Sequence, residues 1–488
     1  MRIGYQKLEI GNWHFDNEER KLVCIARHLL FSAESQSQET FEGVALTIIE
    51  LRLIDVRGAT RKNQLARRIE SHTSFSEPLK QAHSLPIMRA NSTDLSLWQW
   101  LTESAGEAAI TQTSQALQQG LNELTILTAL RRSLGPEKAS AALEQARLRR
   151  RAAEKFSHAN AMLFTARALA QATGEIIADY KAARFGDHPA CDLCCGIGGD
   201  LIALARRGAA RGVDQDPIAA FCAAHNCRVN GGDANNVVCD RVENAKLDPQ
   251  ERIHLDPDRR PSSTRTVDLN FFEPGLSVID QVRRQVPAAA IKLAPATRLP
   301  DEWYRDCQVE WIGHRGECKQ QIVWSGDLAL NPGRRAATVI ANDGSSHDQL
   351  VEGPGRSAPP ELKSLYTYLI EPHASVLAAE LTWELAAEVN GFRFSPEIVY
   401  LTTDRPQQTL LASCFEILET VQLRPSAIEP ILNARGQGVF EIKTRGLVGI
   451  DLSPFKQIKS DGPKSLTLVL TRVASQPRAL ICRRIVRE

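Results

Sequence analysis

Asp192-Leu193-Cys194-Cys195-Gly196-Ile197-Gly198-Gly199-Asp200, followed closely by Gly212-Val213-Asp214-Gln215-Asp216-Pro217, decides how this chain folds. The first stretch reads as a buried strand, a glycine turn and the start of a helix. The second reads as the next strand, ending on a carboxylate. A parallel α/β sheet puts both at the carboxyl ends of neighbouring strands, where such sheets bind their ligands. The glycines let the backbone approach a ligand and leave N–H groups free at a helix start. Asp214 is then placed to accept the two hydroxyls of an adenosine ribose, which defines a nucleoside-cofactor site.

The same residues discriminate between cofactors. A dinucleotide fingerprint requires a third glycine for close helix–strand packing at the pyrophosphate, and Leu201 occupies that position. Asp192, on the strand before the turn, would repel a pyrophosphate but attract an ammonium group. Asp192, Gly196, Gly198, Gly199 and Asp214 together therefore favour S-adenosylmethionine over NAD, with Cys194 in the same turn. Apolar Leu201, Ile202 and Leu204 continue the pattern into a helix.

Working outward, strand and helix alternate as in a doubly wound parallel sheet. Strands are expected near Ala190–Cys194, Arg211–Asp214, Val237–Cys239, Arg252–Asp256 and Ala288–Leu293, then an antiparallel pair near Gln308–Gly313 and Cys318–Ser325, with a further strand at Ala336–Ile340. Helices are expected near Asp200–Arg207, Pro217–Asn230 and Leu276–Gln285. Upstream, residues 86–183 read as helical: Leu117, Leu121, Leu124, Leu127 and Leu130 give one apolar face, and Gly135-Pro136 closes one helix and opens the next. Residues 1–85 form an extension of unknown role, with strand-like text at Val44–Ile49 and basic helical text at Arg61–Ile69. Residues 184–341 are the core domain and 342–361 a hydrophilic linker. Residues 362–488 form a second domain, with a helix carrying Val376, Leu377, Leu381, Leu385 and Val389 and a buried strand at Leu466–Val473.

The glycine loop and the second carboxylate strand resemble motifs I and II of class I methyltransferases. More narrowly, the D-x-x-C-G-x-G-G and D-x-D-P wording is similar to the trimethylguanosine-synthase-like group, and within it to bacterial methyltransferases with a C-terminal THUMP-like domain. The resemblance runs from Arg147 to Glu488. It implies a Rossmann-like methyltransferase sheet, preceded by a helical region and followed by a small α+β THUMP-like domain whose core starts near Cys414. It also implies S-adenosylmethionine as cofactor and kinship with an RNA-binding module. Gln171-Ala172-Thr173-Gly174-Glu175 is similar to the Thr-Pro-Glu motif that lies against the cofactor's methionine end in that group, with Gly174 in place of proline. Thr173 reads equally as the cap of the following helix.

The acceptor is identified at the tip of the fourth strand, Ile253-His254-Leu255-Asp256-Pro257-Asp258-Arg259-Arg260. Methyltransferases acting on exocyclic amines of bases commonly carry a polar residue, two prolines and an aromatic here. This chain keeps Asp256-Pro257 but has Asp258-Arg259 where the second proline and the aromatic ring would be. Asp256 is the candidate acceptor of an amine hydrogen or proton. Arg259 and Arg260 are candidates to grip phosphate or stack on a base; a turn with Asp258 paired to an arginine is the other reading. Asp240, ending the third strand, is where related enzymes meet the adenine amino group, or else it caps a loop. Lys292 either faces the cleft or snorkels at an edge. His225 reads as structural.

The net charge of +1 over 488 residues leaves nucleic-acid affinity to local patches. Arg147, Arg149, Arg150 and Arg151 form one such strip beside the core, readable as a solvated helix face or as phosphate contacts. No 18-residue apolar run and no signal-like start exist, so a soluble cytoplasmic protein without membrane attachment is expected. Eleven cysteines without a secretory signal agree with reduced thiols. Cys191 and Cys194 invite a zinc reading, but the partner pair is missing, so no metal is expected. The expected activity is methyl transfer to RNA, with guanine N2 as one acceptor. The alternatives are an inactive RNA-binding scaffold and a methyltransferase for a small molecule or protein side chain. The text is silent on oligomeric state.

Overall fold

A computed structural model describes residues 92–486 apart from 234–235, 260–266, 356, 363 and 459–461. The expected elements within residues 1–85, and Arg260, lie outside the described residues.

The helical region comprises α1 (Ser92–Thr102), α2 (Ser104–Gln118), α3 (Glu123–Leu134) and α4 (Pro136–Ala152). The expected leucine stripe is broken. Gly120 adopts a left-handed φ of +79° between α2 and α3, leaving Leu121 50% and Leu124 70% exposed. The buried contacts come instead from Ala109 and Ile110 of α2 and Ala142 and Ala146 of α4. Gly135 at φ +80° ends α3, and Pro136 opens α4, as expected.

The arginine strip at the end of α4 divides because successive side chains on a helix turn by about 100°. Arg147 is exposed and forks onto Glu123. Arg149 is only 6% exposed; it binds both carboxylate oxygens of Glu107 on α2, at 2.7 and 2.9 Å, and the Met162 carbonyl at 2.9 Å. It is a packing residue, which corrects the expectation that it contacts RNA. Arg150 and Arg151 are exposed.

After α5 (Ala166–Gln171) and α6 (Glu175–Ala183) the main sheet begins. In chain order it contains β1 (Ala190–Leu193), α7 (Gly199–Ala205), β2 (Ala210–Asp214), α8 (Pro217–Val229), β3 (Val237–Cys239), β4 (Arg252–Leu255), α9 (Leu276–Gln285) and β5 (Ala289–Leu293). There follow α10 (Trp303–Asp306), β6 (Gln308–His314), β7 (Glu317–Trp324), β8 (Arg335–Ile340) and β9 (His347–Val351). The strand order is β3-β2-β1-β4-β5-β7-β6-β8-β9. β1 to β5 are parallel, β7 runs antiparallel to β5 and β6, and the order reverses between β1 and β4. That reversal opens the crevice in which such sheets bind ligands. The expected linker contains β9, which pairs with β8 from Val351 to His347 and lengthens the sheet.

The C-terminal part comprises β10 (Tyr368–Pro372), α11 (Ala374–Ala378), α12 (Thr382–Glu388), β11 (Leu401–Thr403), β12 (Ala412–Gln422), α13 (Pro425–Arg435), β13 (Gly438–Thr444), β14 (Lys464–Val473) and β15 (Gln476–Arg484). Its sheet order is β11-β10-β12-β15-β14-β13, which makes the apolar β14 an interior strand. The single helix expected through Val389 is two helices, separated where Glu380 takes φ +60°. Val376, Leu381, Leu385 and Val389 still share one core, packed on Val309, Trp311, Ala337 and Val339 of the main sheet. The architecture is therefore a helical region, a doubly wound, largely parallel sheet extended by antiparallel strands, and a small α+β domain.

Candidate active site

At the β1–β4 reversal lies a cavity of about 680 Å³. Its wall on the β1 side is the glycine loop. Gly198 caps the N-terminus of α7 at φ +86°, a conformation that other side chains resist. At Gly199 a Cβ would stand 2.9 Å from the Thr173 carbonyl oxygen, so the 172–174 segment lies directly on the glycine backbone. Asp214, at the end of β2, receives the Gly196 N–H on Oδ2 at 2.8 Å and the Asp216 N–H on Oδ1 at 2.9 Å. Each carboxylate oxygen keeps further lone-pair capacity toward the cavity. Burial pushes its pKa up, against those two amides.

Under the loop runs a buried polar chain. Asp192 is 1% exposed, and its Oδ1 is 2.7 Å from His254 Nδ1. His254 Nε2 lies 3.1 Å from Lys181 Nζ, and Lys181 pairs with Asp200 at 2.6 Å. Thr173 Oγ1 donates to the other Asp200 oxygen at 2.6 Å. A lysine ammonium donating to Nε2 leaves the imidazole proton on Nδ1, facing Asp192. Burial opposes the charge on Asp200, but the Lys181 ammonium outweighs it and holds the carboxyl well below the usual range. Asp192 is raised by burial, which His254 only partly offsets. Its Oδ2 is buried without a hydrogen-bond partner among the described residues. Thr173 thus braces Asp200, while the cap position of α6 is Gly174.

On the opposite side, Asp256 lies just beyond β4, and its Oδ2 meets Lys292 Nζ of β5 at 2.5 Å. Burial works against the Lys292 charge, but Asp256 and Asp200 raise its pKa on balance. Lys292 therefore faces the cleft, where the sequence left two readings open. Pro257 and Arg259 line the cavity too. Asp258 accepts from Gln171 Nε2 at 3.1 Å and pairs with Arg167, so its carboxylate closes the turn. Asp240 is not among the cavity-lining residues; its carboxylate accepts from the Arg241 N–H at 2.7 Å and from Asn244 at 2.8 Å.

The structure thus gathers Asp192, Cys194, Gly196, Gly199, Asp214, Thr173, Asp256, Pro257 and Arg259 around one cavity. Gly198 shapes the loop from below, packed on Ala223 of α8. Arg147, Arg149, Arg150 and Arg151 are not part of the lining. Lys181, His254 and Gln320 were missed by sequence reasoning. His254 between two apolar residues was the available signal; Lys181 on a helix gave none. His225 binds the Ala161 carbonyl at 2.9 Å and packs structurally. Burial raises the Cys194 and Cys195 thiols well above their ordinary value, which keeps them protonated.

These features fit S-adenosylmethionine. The orphaned Asp192 Oδ2 is a negative acceptor suited to the amino-acid ammonium, and Asp214 is suited to the ribose. A Cβ at Gly199 would displace the segment that covers the loop.

Comparisons with known proteins agree. Residues 94–152 match a family described only as a domain of unknown function, and residues 412–484 match the THUMP domain-like family. An uncharacterized S-adenosylmethionine-dependent methyltransferase of Mycobacterium tuberculosis, found in strains CDC 1551 and H37Rv, is 29% identical over 357 residues. That alignment covers 70% of this chain and 96% of the relative. A crystal structure of a candidate methyltransferase from Porphyromonas gingivalis W83 superposes with a TM-score of 0.63 at 21% identity, covering 79% of this chain and 99% of the other. The fold is that of class I methyltransferases, and residues 412–484 match the THUMP domain-like family.

Proposed function

We propose that this chain methylates RNA from S-adenosylmethionine, at a base amino group such as guanine N2. The observation that carries this reading is that the Asp256-Pro257-Asp258-Arg259 tip lines the same cavity as the glycine loop and Asp214. Bound S-adenosylmethionine supplies an already activated methyl group. The work of the protein is then to hold the partners in line and exclude water. Asp214 holds the ribose hydroxyls, and Asp192 holds the ammonium through Oδ2. Asp256, ion-paired with Lys292, accepts a hydrogen from the acceptor amine and orients its lone pair.

Two features support RNA as acceptor. Arg241, Arg259, Arg315 and Lys319 line the cavity, a cationic setting suited to a phosphate-bearing substrate. The THUMP domain-like match at 412–484 adds kinship with an RNA-binding module. The test has two parts. Calorimetric titration with S-adenosylmethionine should show binding to the parent protein, and labelled methyl should pass into RNA pools with affinity falling steeply as salt rises. Methylation of small molecules alone, insensitive to salt, would sink the RNA reading and leave the cofactor site standing.

A further inference from the structure

Strand register places a row of polar side chains on one face of the main sheet. Asp192 of β1 pairs with His254 of β4. Asp256 lies two residues beyond His254, hence on the same face, and is ion-paired with Lys292 of β5. Lys292 pairs with Ile322 of β7, so Gln320, two residues earlier on β7, shares that face as well. The row crosses β1, β4, β5 and β7 in sheet order. His254 is partnered by Asp192 and Lys181, and Asp256 by Lys292. At the two ends stand Asp192 Oδ2 and Gln320 Nε2, buried and without hydrogen-bond partners among the described residues. Both residues line the cavity. Gln320 is only 3% exposed, and an unsatisfied amide in such a place costs stability. That cost is explicable if a ligand completes it.

The two orphaned atoms call for opposite chemistry. Asp192 Oδ2 at the cofactor end accepts; Gln320 Nε2 at the far end donates. Asp256 stands between them in strand order. We infer that Gln320 is a specificity-determining residue of the acceptor subsite, which takes a nucleobase edge where an exocyclic amine adjoins a ring nitrogen. Asp256 accepts from the amine, and Gln320 Nε2 donates to the neighbouring ring nitrogen. Guanine, adenine and cytosine present that edge, whereas uracil presents none. Arg315, exposed on the β6–β7 turn and also lining the cavity, supplies a cation for the nucleotide's phosphate. This inference rests on the proposed base methylation and adds the residue that reads the base.

The test is titration of the full chain, with S-adenosylhomocysteine bound, by the monophosphates of guanosine, adenosine, cytidine and uridine. At least one of the first three should bind, and uridine monophosphate should bind at least tenfold more weakly. Gln320→Leu and Gln320→Glu should each weaken the bound nucleotide about tenfold and leave S-adenosylhomocysteine affinity unchanged. Equal binding of uridine monophosphate, unchanged nucleotide affinity in both variants, or loss of S-adenosylhomocysteine affinity in both would overturn the inference. So would a parent that binds S-adenosylhomocysteine but none of the nucleotides. A parent that binds no S-adenosylhomocysteine would instead strike the methyltransferase reading itself.

Discussion

The two ends of the cavity are assembled differently. The proposed cofactor end is built by β1, β2 and the loop between β1 and α7, so most of it lies between Asp192 and Asp216. The proposed acceptor end draws on Asp256 beyond β4, Lys292 on β5 and Gln320 on β7. The first is a local motif in which two carboxylates flank a loop whose glycines are demanded by φ angle and close approach. The second is a product of strand register, in which side chains far apart in sequence meet on one sheet face. A local motif is readable because its geometry constrains residue type. A register-built site constrains only which face a residue occupies.

The contrast breaks first if the buried chain under the loop is not structural. Lys181→Met leaves Asp200 buried without its cation, and removing one partner of a buried ion pair costs about 3–5 kcal/mol. Chemical denaturation should show a loss of that size; a midpoint unchanged from the parent would mean that Asp200 is neutralised by other means. The cofactor end is probed next by Asp214→Ala. Loss of charge-assisted bonds worth roughly 1.5–3 kcal/mol each should weaken S-adenosylmethionine binding by about one to three orders of magnitude in calorimetry. Part of that loss reflects the Gly196 and Asp216 amides that Asp214 also holds.

Asp256→Asn should do the reverse: cofactor affinity stays within about twofold, while turnover in a labelled-methyl assay falls about 10²-fold, at the low end for a positioned proton acceptor. Equal loss of cofactor binding in both variants would erase the division between the two ends. The smallest effect expected is in acid. Asp200 has a folded-state pKa below its unfolded value, so its stabilisation is full above the unfolded value of about 3.9. It fades as pH falls below that value toward the folded one. Asp192, raised by burial, has the opposite sign: its contribution is present at low pH and is lost as pH rises through its folded pKa. Denaturation midpoints measured between pH 5 and 2 should therefore fall less steeply in Asp200→Asn than in the parent. Parallel curves would remove Asp200 from the acid limb.

How much was legible follows from this division. Strands β1 to β8 of the main sheet were expected within a residue or two of their observed ends, because apolar runs bounded by glycine, proline and charge carry their own boundaries. The leucine stripe failed because helical spacing cannot register a left-handed Gly120 that interrupts it. The linker failed at His347–Val351 because a short polar edge strand has no hydrophobic signature; β8 supplies its pairing. Arg149 failed because adjacent arginines look alike in sequence, and only the packing of α4 on α2 buries one of them.

From sequence alone came the fold class, the choice of S-adenosylmethionine over a dinucleotide and the candidate cofactor residues from Asp192 to Asp214, because backbone conformation and charge at a loop are set by the residues within it. Tertiary structure decided that Lys292 holds Asp256, that Lys181 and His254 fix Asp192, and that Gln320 reaches the cavity. Those assignments depend on which strands become neighbours and in what register, a property no single segment carries.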